Sequence, residues 1–189
     1  HIIFNEKLFV DTISSALNYA EGRSELFTLG IDPTRAETGY GYIQGDMENQ
    51  YNIDGIVAYP VKTFTEKPNK ELAQVFIDSG EFLWNSGIFI WSAEAICKAM
   101  EEHLEEVYLP FVEGEKYYYT DNEQDFIDKL YAGCPSISID YGVMEKATNV
   151  VVFQASFGWT DLGTWEALYL HVDKGQGDNF VRAQQHIID

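Results

Sequence analysis

The chain has 189 residues, of which 46% are hydrophobic and 15% aromatic, and its formal net charge is −19 at pH 7. This length suits one domain with the start of a second, and the apolar content excludes global disorder. Only 12 Lys and Arg residues stand against 31 Asp and Glu, so the basic surface that nucleic acids and anionic membranes require is missing. We therefore expect neither nucleic acid nor membrane as a partner.

Two cysteines, Cys97 and Cys134, stand at no metal-binding spacing, and both lie near apolar stretches. Buried, reduced thiols are the expected state. No apolar run reaches the length of a membrane-spanning helix, and no secretory signal is visible. These features predict a cytoplasmic protein.

The first half of the chain alternates helix and strand patterns. Asn5 is predicted to cap a helix that ends at Gly22, and Asn69 a second helix that ends at Gly80. Between them, strands are predicted over 26–31, 41–44, 55–58 and 61–65.

The second half continues the alternation. Strands are predicted over 87–91 and 150–153, and helices over 93–103, 121–130 and 163–171. The pattern predicts a layered α/β/α domain with a mostly parallel mixed sheet over residues 1–172. Residues 173–189 are predicted to be a linker followed by the start of a β-rich domain. Both ends are expected to be cuts within a longer protein.

Two polar segments at predicted strand ends carry candidate chemistry. At Tyr40-Gly41 a glycine lets the backbone approach a ligand, although a plain turn explains the segment as well. At Glu66-Lys67 a carboxylate could accept sugar hydroxyls and an ammonium could meet a phosphate. An exposed ion pair is the commoner explanation. Pro68 predicts that Lys67 is extended.

Two further segments place polar residues among aromatic ones. Asn85 interrupts a run of large apolar residues, and leaving its amide unpaired there would cost roughly 1–3 kcal/mol. Its partner is either the backbone or a ligand hydroxyl. Asp161 lies between two tryptophans, after a predicted strand and before a predicted helix. It either caps that helix or binds a hard cation.

Taken in order, these segments resemble the sugar-1-phosphate nucleotidyltransferases, a family with a Rossmann-like, GT-A-like catalytic domain. The likeness runs from His1 to about His171. Segment 138–146, Ser-Ile-Asp-Tyr-Gly-Val-Met-Glu-Lys, resembles the mannose-1-phosphate guanylyltransferase subgroup in particular. The resemblance implies transfer of GMP from GTP to mannose 1-phosphate with Mg²⁺ as cofactor, giving GDP-mannose and pyrophosphate.

The resemblance also implies roles for single residues. Glu66 and Asn85 would hold sugar hydroxyls, the backbone at Tyr40 and Gly41 would line the sugar pocket, and Lys67 would approach the sugar phosphate. Asp161 would be a catalytic metal ligand. His1 is similar to the last residue of the segment that carries the second metal-binding aspartate, which is therefore expected just before it.

One departure from the family is that its Gly-rich, basic triphosphate loop is absent from this sequence, so we expect this stretch alone to be inactive. The alternatives are a different pair of substrates, such as glucose 1-phosphate with UTP or dTTP, and a catalytically silent regulatory subunit. A carbohydrate-binding module is a third. Asp140, Glu145 and Lys146 match subgroup positions without an assigned role, and the oligomeric state, a homo-oligomer included, stays open.

Overall fold

The computed structural model describes residues 1–163. The helices are α1 (Glu6–Ala20), α2 (Lys70–Ser79), α3 (Ala93–His103), α4 (Glu105–Glu113) and α5 (Glu123–Gly133). The strands are β1 (Ile2–Ile3), β2 (Leu26–Ile31), β3 (Tyr42–Gly45), β4 (Tyr51–Ile53), β5 (Ile56–Thr65), β6 (Phe82–Ile90), β7 (Val150–Ala155) and β8 (Trp159–Thr160). The predicted helix over 163–171 and the predicted domain change at 172 lie outside the part that is described.

The capping predictions for the first two helices are confirmed. The Asn5 side chain accepts a hydrogen bond from the Leu8 amide, and the Asn69 side chain accepts one from the Leu72 amide. Gly80 ends α2 in the left-handed conformation, at φ +70°. Local sequence signals are therefore sufficient to place these helices.

The main sheet has six strands in the order β3-β6-β2-β7-β5-β4, so the layered α/β prediction is confirmed. The expectation that it is mostly parallel is wrong for the described strands. Only β2 and β7 pair in parallel, and every other pairing in this sheet is antiparallel. A strand's hydrophobic pattern shows how far it is buried but not the direction of its neighbour.

Several elements differ from the predicted ones, among them β5, β6 and α4. The two strands expected on either side of Pro60 are one strand, β5, in which Pro60 pairs with Val151 of β7 and its carbonyl accepts from the Asp46 amide. Strand β6 begins five residues earlier than expected and so contains Asn85. Helix α4 was not predicted, and it carries Pro110 inside its span.

Strand β3 links two distant parts of the sheet. It pairs with the first residues of β6 and with the last residues of β5. Tyr42 lies opposite both Thr65 and Trp84. Each of these three residues has a neighbour in the sequence that belongs to the candidate site. Gly41 precedes Tyr42, Glu66 follows Thr65, and Asn85 follows Trp84.

Helices cover both faces of the sheet. On one face, Ala16 of α1 and Phe76 of α2 pack with Phe27 and Phe153. On the other, Ala95 and Ala99 of α3 pack with the strand residues Leu83 and Val152 and with Val143 and Met144. Two apolar layers therefore hold the sheet, as an α/β/α arrangement requires.

The expectation of buried thiols is wrong. Cys97 is exposed and Cys134 half-buried, and both line an apolar cavity of about 1010 Å³ between α3, α4 and α5. Cys97 lines this cavity, whereas Ala95 and Ala99 of the same helix pack on the sheet. Across residues 1–163, no helix combines the length and the hydropathy needed to cross a membrane.

Candidate active site

Glu66 is an enclosed acidic side chain in the region where β3, β5 and β6 meet. Its side chain is 8% exposed, so the exposed-pair explanation does not hold for it. One carboxylate oxygen, Oε1, lies 2.8 Å from the Lys67 ammonium. The other, Oε2, is buried and has no hydrogen-bond partner within residues 1–163. A buried acceptor left unpaired costs roughly 1–3 kcal/mol, which a donating hydroxyl would recover.

Gly41 is where the backbone comes closest to this carboxylate. A Cβ at Gly41 would collide with Glu66 Oε2 and would lie 3.1 Å from the Asn85 Cβ. The Gly41 carbonyl also accepts a hydrogen bond from the Asn85 amide over 2.8 Å. The glycine is therefore required by close packing against Glu66 and Asn85, because a Cβ has no room there. That the backbone of Gly41 also lines a ligand pocket stays a prediction.

Lys67 has a left-handed backbone, at φ +46°, so the prediction that Pro68 keeps it extended is wrong. Such a conformation costs of order 1–3 kcal/mol in a residue other than glycine and persists only where neighbours impose it. Here the Lys67 amide donates to the Tyr40 carbonyl over 3.2 Å. The hydrogen bond with the Glu66 carboxylate and its negative charge raise the pKa of Lys67, so the ammonium stays charged.

Asn85 lies in an irregular stretch of β6. Thr28 of β2 is opposite Phe89, whereas Gly30 is opposite Asn85, so two extra residues of β6 bulge out between these pairs. The Asn85 Oδ1 accepts from the Gly87 amide at 3.1 Å. The Thr28 hydroxyl lies 3.4 Å from the same oxygen but is closer to the Ile88 carbonyl, at 3.2 Å, which is the better acceptor for its single proton. The sequence left open whether the Asn85 amide pairs with the backbone or with a ligand hydroxyl. For the amide oxygen, the partner is the backbone N–H of Gly87.

The nitrogen of the same amide is held from a distant part of the chain. Asn85 Nδ2 donates to Asp140 Oδ1 over 2.9 Å. Glu145, from the same segment as Asp140, accepts the Glu66 backbone N–H through Oε1, also over 2.9 Å. Both residues matched subgroup positions in the sequence without a role, and the structure brings them to the site. We call Gly41, Glu66, Asn85, Asp140 and Glu145 the Glu66 cluster.

Asp161 follows the short strand β8, which pairs with β1 in antiparallel register, Ile2 opposite Thr160. The pairing brings the start of the chain beside Asp161, and His1 Nε2 lies 3.9 Å from the Asp161 Oδ1. The carboxylate is 37% exposed. We call His1, β1, β8 and Asp161 the Asp161 edge. No cluster of three or more His, Cys, Asp or Glu side chains able to hold a metal occurs in residues 1–163.

Tyr40 connects the Glu66 cluster with the Asp161 edge. Its ring meets Trp84 edge-on at 5.2 Å and Trp159 at 5.5 Å between centroids. Burial is the main reason that the pKa of Tyr40 is raised, and the Asp161 charge adds to it. Arg35, which belongs to none of the sequence motifs, lies over the Trp84 ring at 5.4 Å. These side chains line a cavity of about 400 Å³.

Comparison with known proteins identifies related sequences. The family model for nucleotidyl transferases matches residues 2–175. A mannose-1-phosphate guanylyltransferase of Salmonella montevideo is 39% identical over 184 residues, covering 96% of this chain and 39% of the relative. A protein of the same name from Escherichia coli is 37% identical over 185 residues with the same coverage. The chain thus spans about two fifths of the length of these curated relatives.

Solved structures agree with this grouping. A crystal structure described as mannose-1-phosphate geranyltransferase from Thermus thermophilus has a TM-score of 0.75 at 30% identity, covering 91% of this chain and 48% of that one. A mannose-6-phosphate isomerase from Helicobacter pylori has a TM-score of 0.67, covering 85% of this chain and 60% of that one. At 22% identity, the second likeness shows the fold alone.

Proposed function

Because the chain belongs to the nucleotidyl transferase family, we propose that the whole protein transfers GMP from GTP to mannose 1-phosphate, giving GDP-mannose and pyrophosphate. The observation that carries this proposal is the buried Glu66 carboxylate. It has one unpaired oxygen against Gly41 and lies beside the charged Lys67. A carboxylate acceptor next to a lysine suits a ligand that bears both hydroxyls and a phosphate. The guanylyltransferase relatives supply the choice of sugar and base.

The sugar phosphate would be held by complementary groups. Glu66 Oε2 accepts from a sugar hydroxyl, and the N–H of Asn85 that Asp140 leaves unused donates to another hydroxyl oxygen. Lys67, 57% exposed, meets the phosphate as a point charge. The backbone of Tyr40 and Gly41 lines the pocket, and the absence of a side chain at Gly41 leaves room for the Glu66 carboxylate.

Magnesium is the proposed cofactor, and Asp161 fits it. Mg²⁺ takes oxygen ligands and commonly binds through one or two carboxylates together with substrate phosphates. A half-exposed carboxylate beside the site meets that description. When bound, the ion offsets the charge of the two phosphates that must meet. We further propose that the rest of the protein supplies the triphosphate loop and a second carboxylate adjoining His1, whose side chain lies next to Asp161.

No protein nucleophile is needed for this reaction. A phosphate oxygen of the sugar substrate forms a bond to the α-phosphorus of GTP, the bond from that phosphorus to the bridging oxygen breaks, and pyrophosphate leaves with the electron pair. The residues described here contribute orientation and charge, which are the main sources of catalysis in such transfers. The cytoplasm, where thiols stay reduced, is the proposed location, in keeping with the free Cys97 and Cys134.

Pyrophosphate release by the whole protein tests the proposal. GTP, ATP, UTP and dTTP are each combined with mannose 1-phosphate and with glucose 1-phosphate, with Mg²⁺ or with a chelator. We expect metal-dependent release from GTP with mannose 1-phosphate. Selective release from another pair would keep a nucleotidyl transferase but overturn the substrates proposed here. Release from no pair would favour the silent regulatory subunit.

A further inference from the structure

Asp140 and Glu145 are five residues apart, which in an α-helix would separate them by about 140° around the axis. Instead, Asp140–Met144 form a π-helical turn, in which the Glu145 N–H donates to the Asp140 carbonyl over 2.9 Å. The wider turn lets residues five apart project on one side of the backbone. Both carboxylates consequently reach the sheet, Glu145 at Glu66 just past the end of β5 and Asp140 at Asn85 within β6.

The π-helical turn is anchored on its other side. Val143 and Met144 are 0% and 1% exposed and belong to the apolar layer beneath α3. Burying two such side chains stabilises the turn by roughly 1.5–3 kcal/mol each. Lys146 adds a hydrogen bond from Nζ to the His103 carbonyl, at the end of α3. The carboxylates therefore extend from a fixed base rather than from a loose loop.

Asp140 sets the orientation of the Asn85 amide. An ionised carboxylate only accepts hydrogen bonds, so it selects the orientation in which Asn85 Nδ2 points to it. The Gly87 amide donates to Oδ1 and selects the same orientation. Among the described contacts the amide is left with one free N–H, and its oxygen accepts from the Gly87 amide. Asn85 is thereby made a donor toward whatever lies in the site.

Glu145 acts on the backbone that carries Glu66 and Lys67. It accepts the Glu66 N–H at the point where β5 ends and Lys67 takes its left-handed conformation. Charge-assisted hydrogen bonds to backbone N–H groups are roughly twice as strong as neutral ones. The bond holds the Glu66 carboxylate in its buried place against Gly41.

We propose that Asp140 and Glu145 are positioning residues, which the π-helical turn presents as a pair to fix the donor at Asn85 and the acceptor at Glu66. The inference rests on the proposed function, because those two groups are the ones assigned to the sugar hydroxyls. Neither positioning residue needs to contact the substrate itself. Their loss should therefore weaken binding of the sugar phosphate and leave the nucleotide half of the reaction intact.

Side-chain amide NMR of the whole protein tests the positioning without any need for turnover. The Asn85 NH₂ signals are assigned from Asn85→Gln, and their hydrogen exchange is measured in the wild type, Asp140→Ala and Asp140→Asn. We expect exchange to be at least about tenfold faster in Asp140→Ala, which lacks the acceptor. Asp140→Asn, whose side-chain oxygen still accepts, should stay near the wild type. Unchanged exchange in Asp140→Ala overturns the proposal.

Kinetics then test the consequence. Asp140→Ala should raise the KM for mannose 1-phosphate about tenfold, with the KM for GTP and kcat within about threefold of the wild type. Asp140→Asn should recover most of the loss. Asp121→Ala, an exposed carboxylate before α5, is the matched control and should change neither constant. If Asp140→Ala folds poorly, the Glu145 variants replace it in the same measurement. Glu145→Ala removes the acceptor of the Glu66 N–H and should raise the KM for mannose 1-phosphate, and Glu145→Gln, which can still accept, should recover most of the loss.

A double-mutant cycle separates positioning from direct binding. If Asp140 acts through Asn85, then Asn85→Ala with Asp140→Ala should raise the KM no further than Asn85→Ala alone. Effects that multiply would overturn the proposal, because Asp140 would then act independently. Failure of the wild type to release pyrophosphate would overturn the proposed function instead, while amide exchange would still decide whether Asp140 positions Asn85.

Discussion

The Glu66 cluster lies where three strands of the main sheet meet in register, whereas the Asp161 edge is held by two residue pairs between β1 and β8. In the cluster, Glu66 and Asn85 are each tied to a carboxylate from the π-helical turn. At the edge, the nearest basic group to the Asp161 carboxylate within residues 1–163 is His1 Nε2 at 3.9 Å, which forms an ion pair only when His1 is protonated. The Glu66 cluster is thus a connected hydrogen-bond network, whereas the Asp161 edge contributes little more than the single side chain of Asp161.

This difference predicts how substitutions combine. Residues that share hydrogen-bond partners show interaction energies of roughly 0.5–3 kcal/mol, while distant and independent residues are additive. Changes within the Glu66 cluster should therefore be non-additive. A change at Asp161 should multiply with any of them, because the two regions share no hydrogen-bond partner among the described contacts and meet through the ring of Tyr40.

The largest effect is expected at the less connected region. Asp161→Asn should lower Mg²⁺-dependent pyrophosphate release by the whole protein roughly 10²–10³-fold, since a group that stabilises charge at the reacting phosphates is lost. Its melting temperature should change by less than about 4 °C, because that carboxylate holds little of the fold. Asp121→Asn is the control. Retention of metal-dependent turnover in Asp161→Asn would remove Asp161 from the metal site.

Within the Glu66 cluster, Glu66→Gln should have the next largest effect. Loss of the charge weakens the hydrogen bond that a sugar hydroxyl donates, and bonds to charged groups contribute about 1.5–3 kcal/mol. The KM for mannose 1-phosphate should rise about 10–100-fold while that for GTP stays constant. Glu81→Gln is the matched control, since Glu81 precedes β6 and accepts from Gln44 at an exposed position. An equal rise in both KM values would contradict a sugar-specific role.

Gly41→Ala should give a smaller loss through geometry alone. The added Cβ displaces the Glu66 carboxylate and also presses on the Asn85 Cβ at 3.1 Å, so the fold should lose roughly 1–3 kcal/mol. The KM for mannose 1-phosphate should rise about tenfold, and Glu66→Gln combined with Gly41→Ala should add little. At Gly39 a Cβ would meet only Glu37, at 3.4 Å, so Gly39→Ala is the control. Equal effects at both glycines would show that the collision is irrelevant.

The sequence could predict the parts of this molecule that are set by near neighbours. Asn5 and Asn69 cap their helices through residues three positions away. The fully buried β2 and the almost fully buried β7 show as apolar runs, which identify strands without reference to the rest of the chain. The candidate residues Glu66, Asn85 and Asp161 were reached through resemblance, because each alone has a more ordinary explanation.

The arrangement of those residues could not be predicted in the same way. Strand direction and the opposition of Tyr42 to both Thr65 and Trp84 depend on pairings between distant segments. The Asp140 partner of Asn85 is 55 residues further along the chain. The left-handed backbone of Lys67 runs against the local effect of Pro68, and tertiary hydrogen bonds override it.

The smallest expected effect is that of pH on Lys67. Its pKa lies above the ordinary 10.5 because of the hydrogen bond and charge of Glu66, with smaller effects from Tyr141 and Asp140. A raised lysine pKa means that its contribution is fully present below the unfolded-state value and is lost only as the pH rises through the folded-state value. Between pH 7 and 9 the ammonium should therefore stay charged.

Lys67→Met should accordingly weaken binding of mannose 1-phosphate by the same factor at pH 7 and at pH 9, as measured by calorimetry on the whole protein. Taking the ratio of mutant to wild-type Kd cancels the titration of the phosphate itself, so only changes at Lys67 remain. A ratio that falls toward one at pH 9 would mean that the ammonium is already losing its proton. The Glu66–Lys67 ion pair would then be weaker than its 2.8 Å separation indicates. The Glu66 cluster would in that case be less firmly connected to Lys67, the group proposed to meet the phosphate, and would differ less from the Asp161 edge.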